Sequence, residues 1–177
     1  MAERLYKEFR EISNNPIPNC GVTVGLIDDN NIYDWRVTLT GPKDTSYKGG
    51  LFQLNVHFTP DYPNKPPEVF FVTPIYHVNV NPIASNEEGG ESLGHVCIST
   101  LNWWKPEYKM REVLTNIYSL FYMHNPNSAY GLGRAKEFID EREVYEEKCK
   151  YFTKKYAKPS NYNKKDTDRS HNWDFSF

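Results

Sequence analysis

Leu51-Phe52-Gln53-Leu54-Asn55-Val56-His57-Phe58 sets an apolar residue at every second position. A period of two sends Phe52, Leu54, Val56 and Phe58 to one face of an extended chain, the pattern of a half-buried strand. The same texture runs outward from it. Upstream lie Val22, Val24 and Leu26, then Ile32 to Leu39, separated by the turn-forming runs Asp28-Asp29-Asn30-Asn31 and Gly41-Pro42. Downstream, Pro60, Pro63, Pro66 and Pro67 remove ladder donors, so this segment reads as a structured connection before a further strand over Glu68 to Val72. An antiparallel meander of four strands follows.

Helical spacing flanks the meander. Leu5, Phe9 and Ile12 share one face of a helix over residues 2 to 13, with Arg4, Lys7, Glu8, Arg10 and Glu11 around the other, and Asn14-Asn15-Pro16 stops it. After Pro106, the stripe Val113, Leu114, Ile117, Leu120 and Phe121 predicts a core helix of about 14 residues, ending near His124-Asn125-Pro126. Ala129 to Phe138 reads as a shorter helix. Tyr145, Cys149, Phe152 and Tyr156 mark a last one, which explains Cys149 by packing. The expected fold class is α+β: an N-terminal helix, a four-stranded antiparallel sheet, a central helix and two C-terminal helices. One core domain is expected over residues 1–157, followed by a disordered tail at 158–177, where Asn, Lys, Asp and Ser dominate.

Composition excludes several functions. A net charge of −2 with 25% charged residues provides no basic field for nucleic acid. Cys20, Cys97 and Cys149 are widely spaced and form no C-x-x-C pair, so neither a disulfide framework nor a zinc site is indicated, and a reducing compartment, cytoplasm or nucleus, fits best. The N-terminus is charged from the outset and no apolar run approaches the ~18 residues of a membrane span. A soluble intracellular protein is expected.

The chemistry centres on Gly94-His95-Val96-Cys97-Ile98-Ser99-Thr100-Leu101-Asn102-Trp103-Trp104-Lys105-Pro106, where one cysteine precedes a Trp-x-Pro turn. Upstream, Pro74-Ile75-Tyr76-His77-Val78-Asn79-Val80-Asn81 holds a histidine and two amides, groups suited to lining a cysteine site and donating to an oxyanion. A cysteine-protease arrangement with His77 or His95 as base lacks an orienting group. A zinc site of Cys97, His95 and His77 lacks a fourth ligand at ordinary spacing.

The order of these motifs is more informative than any one of them: Trp35, Gly41-Pro42, Tyr47-x-Gly49-Gly50-x-Phe52, Pro60-x-Tyr62-Pro63-x-x-Pro66-Pro67, Tyr76-His77-x-Asn79, Cys97, Trp104-x-Pro106 and Asn125-Pro126. The series resembles the ubiquitin-conjugating enzymes across the expected core. The resemblance implies that Cys97 carries ubiquitin or a ubiquitin-like protein as a thioester, received from an activating enzyme and passed to a substrate lysine, usually with a ubiquitin ligase. It implies no cofactor on this chain, since the upstream activating enzyme uses the ATP. By motif position Asn79 is the second catalytic residue, stabilising the oxyanion or holding the active-site loop. His77, Trp104, Pro106 and Ser128 shape the site. The first helix, with Arg4 and Lys7, and the loops with Asn64, Lys105 and Glu107 are the expected docking surface for activating enzyme and ligase.

The chain departs from the family pattern at several positions. Asn64 stands where a bulky apolar ligase contact is usual. Val78 replaces the signature proline, freeing a backbone donor and loosening the turn that holds Asn79. Ser128 falls where an acidic residue is common, and the acidic stretch from Pro82 to Leu93 lengthens the approach to Cys97. Its Glu87, Glu88 and Glu91 either attract a basic acceptor segment or form a solvated insertion. Together these point to slower aminolysis, an unusual acceptor or an altered modifier. They also keep open a non-catalytic adaptor that binds ubiquitin or a conjugating enzyme.

Overall fold

The computed structural model describes residues 2–82 and 93–161. Most of the acidic stretch, with Glu87, Glu88 and Glu91, and the tail from residue 162 lie outside the described residues. Helix α1 spans Ala2–Asn14, and strands β1 (Val22–Leu26), β2 (Asp34–Thr40), β3 (Leu51–His57) and β4 (Glu68–Phe71) form an antiparallel sheet in the order β1-β2-β3-β4. Helices α2 (Ser99–Asn102), α3 (Met110–Ser119), α4 (Leu132–Asp140) and α5 (Arg142–Tyr156) follow. The fold is the expected α+β meander with a leading helix. No helix among the described residues is long and apolar enough to cross a membrane.

Alternation sets the register. Trp35 faces Val56, Val37 faces Leu54 and Leu39 faces Phe52, so that each inward residue of β2 meets an inward residue of β3. All six are fully buried. A slip of one residue would turn both sets toward water. Phe9 of α1 meets the Trp35 ring edge-on at 5.2 Å, which seats the first helix on the sheet.

Two expectations of the local structure need correction, and one element was not expected. Ile32 precedes the strand rather than opening it. It lies in the turn that follows Asp28–Asn31, where its carbonyl accepts from Trp35 Nε1 at 2.7 Å. The central helix stops at Ser119, short of His124. Ser119 Oγ donates to Asn116 O at 2.7 Å, and Leu120 N reverts to a bond with Ile117 O at 3.1 Å. Such hydroxyl back-bonding competes with helix continuation. Helix α2, one turn beginning two residues after Cys97, carries no apolar stripe and escaped the periodicity.

Glu8, placed on the polar face of α1 by its spacing, is buried. Its carboxylate accepts from Arg4 Nε at 2.7 Å, Tyr62 Oη at 3.0 Å and the backbone N–H of Met110 at 2.7 Å. The last of these is an otherwise orphaned donor at the start of α3. One carboxylate thus fastens α1 to the proline-rich connection and to the central helix.

The chain leading to the cysteine is zipped from two sides. Phe71 N donates to Gly94 O at 2.8 Å and Gly94 N to Asn81 O at 2.9 Å, while Val80 and Val96 form an isolated bridge. Gly94 has φ +76°, and a Cβ there would sit 2.3 Å from Phe71 O. Gly94→Ala should therefore destabilise the protein by about 2 kcal/mol or more, combining left-handed strain with a backbone clash. Chemical denaturation checks this.

Candidate functional site

Asn79 sits at the centre of the site and is 0% exposed. Its backbone carbonyl accepts from Cys97 N at 2.8 Å. On the other side its Nδ2 donates to Asn125 O at 2.8 Å and to Ser128 O at 2.9 Å, while Oδ1 accepts from Asn125 N at 2.9 Å. Both amide hydrogens are thereby committed to carbonyls. Of the two roles expected for Asn79, holding the loop is the one this geometry supports. In this arrangement the amide has no hydrogen left for an oxyanion. In this geometry Asn79 ties the Cys97 segment to the Asn125–Ser128 turn.

Val78 does not loosen the turn. The backbone N–H that proline would have removed donates to Tyr145 Oη at 3.1 Å, and Val78 O accepts from Tyr130 N at 2.8 Å. The donor freed by the substitution has found a buried acceptor on α5, so the turn is cross-linked instead of released.

Cys97 is partly exposed at the edge of a cavity of about 450 Å³, whose lining includes Asn102, Trp103, Met123, Asn125 and Ser128. Asn102 Nδ2 donates to Cys97 Sγ at 3.3 Å. Ser128 is in the lining and contributes its carbonyl to the Asn79 clamp. Trp103 is 78% exposed and Met123 71%, giving the mouth two apolar walls. Spacing singled out Trp104 but neither of these. The adjacent tryptophans were the available signal, since neighbouring residues cannot both turn inward.

His77 is buried with both ring nitrogens engaged. Nδ1 accepts from Asn79 N at 3.0 Å, so Nε2 carries the proton and donates to Leu120 O at 3.0 Å. The tautomer is fixed by partners that can only donate and only accept. His77 thus shapes the site by capping the end of α3, and neither it nor His95, whose ring stacks on Phe70 at 5.8 Å, is posed as a base toward Cys97. The His124 ring stacks on His77 at 4.3 Å and lines the Cys97 cavity. Burial, with His124 alongside, lowers the pKa of His77 to about 3, and burial with the Arg142 charge lowers that of His124 to about 4. Cys149 has its thiol pushed up to about 11 by burial and donates to Tyr76 O at 3.2 Å, consistent with a packing role.

The two loops of the expected docking residues are joined, and Arg4 of α1 reaches both. Trp104 Nε1 donates to Pro63 O at 2.6 Å and its ring meets Tyr62 at 5.8 Å, joining the loop of Lys105, Pro106 and Glu107 to the loop of Asn64. Lys7, Asn64, Lys105, Pro106 and Glu107 are exposed. Arg4 is bonded rather than free: beyond its bond to Glu8 it donates to Tyr108 O at 2.8 Å and lies over the Tyr62 ring. Its guanidinium is partly exposed and held by these partners, so it does not stand free like Lys7.

A family model described as ubiquitin-conjugating enzyme matches residues 4–153. The chain belongs to the ubiquitin-conjugating enzyme family. Membership covers the sheet, the Cys97 segment and almost all of α5. It makes the family's transferase chemistry, with ubiquitin, activating enzyme and ligase as general partners, the frame in which the site is read.

The histidine pair generates a pH prediction. Both rings are neutral when folded and take up protons on unfolding below their ordinary value of 6.5, so the unfolded chain binds more protons between 6.5 and the folded values of about 4 and about 3. Stability is therefore lost as pH falls through that window, by about 1.4 kcal/mol per pH unit for each ring. His124→Phe should remove about half of the slope between about pH 6 and pH 4.5, measured by urea denaturation at stepped pH.

Proposed function

We propose that the chain is an active ubiquitin-type conjugating enzyme: Cys97 accepts ubiquitin or a ubiquitin-like protein as a thioester from an activating enzyme and transfers it to a substrate lysine. The observation that carries this reading is Cys97 itself, partly exposed at an open cavity in a chain of this family, with an amide donor on its sulfur. A thiol suits the task because thiolate exchanges readily with a thioester and leaves the product activated toward an amine. The exchange requires no metal or nucleotide on this chain, ATP being consumed by the activating enzyme. A reduced thiol is essential, which favours the cytoplasm or nucleus.

The exposed side of α1 with Lys7, together with the Asn64 and Lys105–Glu107 loops, is our candidate for docking the activating enzyme and ligase. Its polar character favours a partner that reads charge and hydrogen bonds over one that inserts an apolar side chain. The adaptor alternative drew on Val78 and Ser128. In the folded chain the Val78 N–H is taken up by Tyr145, so that substitution does not undo the Cys97 site, and this supports the transfer reading.

Incubation with an activating enzyme, ATP and either ubiquitin or individual ubiquitin-like proteins should yield an adduct on a non-reducing gel that thiol reductant removes. Cys97→Ala should abolish it. A folded wild-type sample that loads none of these proteins would contradict the reading.

A further inference from the structure

Asn79, the amide that motif position nominates for catalysis, has no hydrogen to spare, yet Cys97 already has a different amide on its sulfur. Asn102 Nδ2 lies 3.3 Å from Cys97 Sγ, and Asn102 lines the same open cavity. Its backbone is fixed by the single turn of α2, where Asn102 N donates to Ile98 O at 3.0 Å. That turn brings the side chain back over the cysteine five residues earlier. The residue is exposed, so its amide borders the space an incoming thioester carbonyl would occupy. Among the described residues no Asp, Glu, Lys or Arg lines this cavity, and the Asn102 amide is the side-chain donor found on the sulfur.

Resting on the transfer reading above, we propose that Asn102 is a catalytic residue of this chain: its side-chain amide donates first to the Cys97 thiolate and then to the oxyanion formed on the thioester. In the transfer step the neutral amine of a substrate lysine attacks the thioester carbonyl carbon. A C–N bond forms and the carbonyl π pair moves to oxygen. Acylated sulfur is a poor acceptor, so the Asn102 N–H is released to the developing oxyanion on the adjacent carbon. The ammonium proton leaves to water, the oxyanion collapses, the C–S bond breaks and Cys97 departs as thiolate, which again accepts from Asn102. Asn79 holds the Cys97 backbone in place throughout, dividing between two residues the roles of clamp and donor.

The test uses Asn102→Leu, of similar size without a donor, and Asn102→Ser, polar but too short to reach. In the full chain alone, alkylation of Cys97 by iodoacetamide at neutral pH should slow by about three- to tenfold in both variants, as the thiolate loses its charge-assisted partner. In the preloaded thioester, single-turnover discharge to free lysine should fall by about 100-fold, with the half-saturating lysine concentration unchanged within about twofold. Discharge within twofold of wild type in either folded variant overturns the proposal. Alkylation needs no modifier, so a wild type that never loads would refute the transfer reading while the donor to sulfur is still measured.

Discussion

The buried side-chain amide of Asn79 is the constraint on which the site depends. Cys97 N reaches its backbone oxygen, and Asn125 and Ser128 take all its side-chain hydrogen bonds. A single residue thus spans the gap between the cysteine segment and the opposite wall of the cavity. Burying an amide without partners costs several kcal/mol, and one that is fully paired costs little and fixes geometry. Completeness matters here: a missing partner would leave a polar group stranded at the most buried point of the loop. The neighbouring His77 follows the same logic, with one nitrogen closing the Asn79 turn and the other closing the end of α3.

The same economy of partners couples remote parts of the chain. Glu8 starts α3 and holds Tyr62. Tyr62 and Pro63 hold Trp104, and Trp104 lies in the loop just beyond Cys97. Helix α1 and the two loops are consequently tied to the segment that follows the cysteine.

Much of the fold was legible because it obeys short periods. Alternation marked four strands, and the apolar stripes marked α1, α3 and α5. What the sequence concealed were polar residues satisfied over long separations. Glu8 looked like a solvated charge because its partners, Tyr62 and Met110, are brought to it only by the tertiary fold. Val78 looked like a loosening substitution because Tyr145 is distant in the chain. The end of α3 was misplaced because its apolar stripe runs on into a turn whose carbonyl is claimed by His77. Cys97 stood out through its motif context, whereas Asn102 and Trp103 are ordinary residue types whose roles depend on the one-turn helix that presents them.

The central claim is that Asn79 is a clamp and Asn102 the exposed donor, and hydrogen exchange of the two side-chain amides, resolved by NMR in the unmodified protein, tests it most directly. The account predicts that the Asn79 Nδ2 hydrogens exchange at least about 100-fold more slowly than those of Asn102, as expected for buried and fully bonded against solvent-accessible groups. Equal, solvent-like exchange at both residues would contradict it.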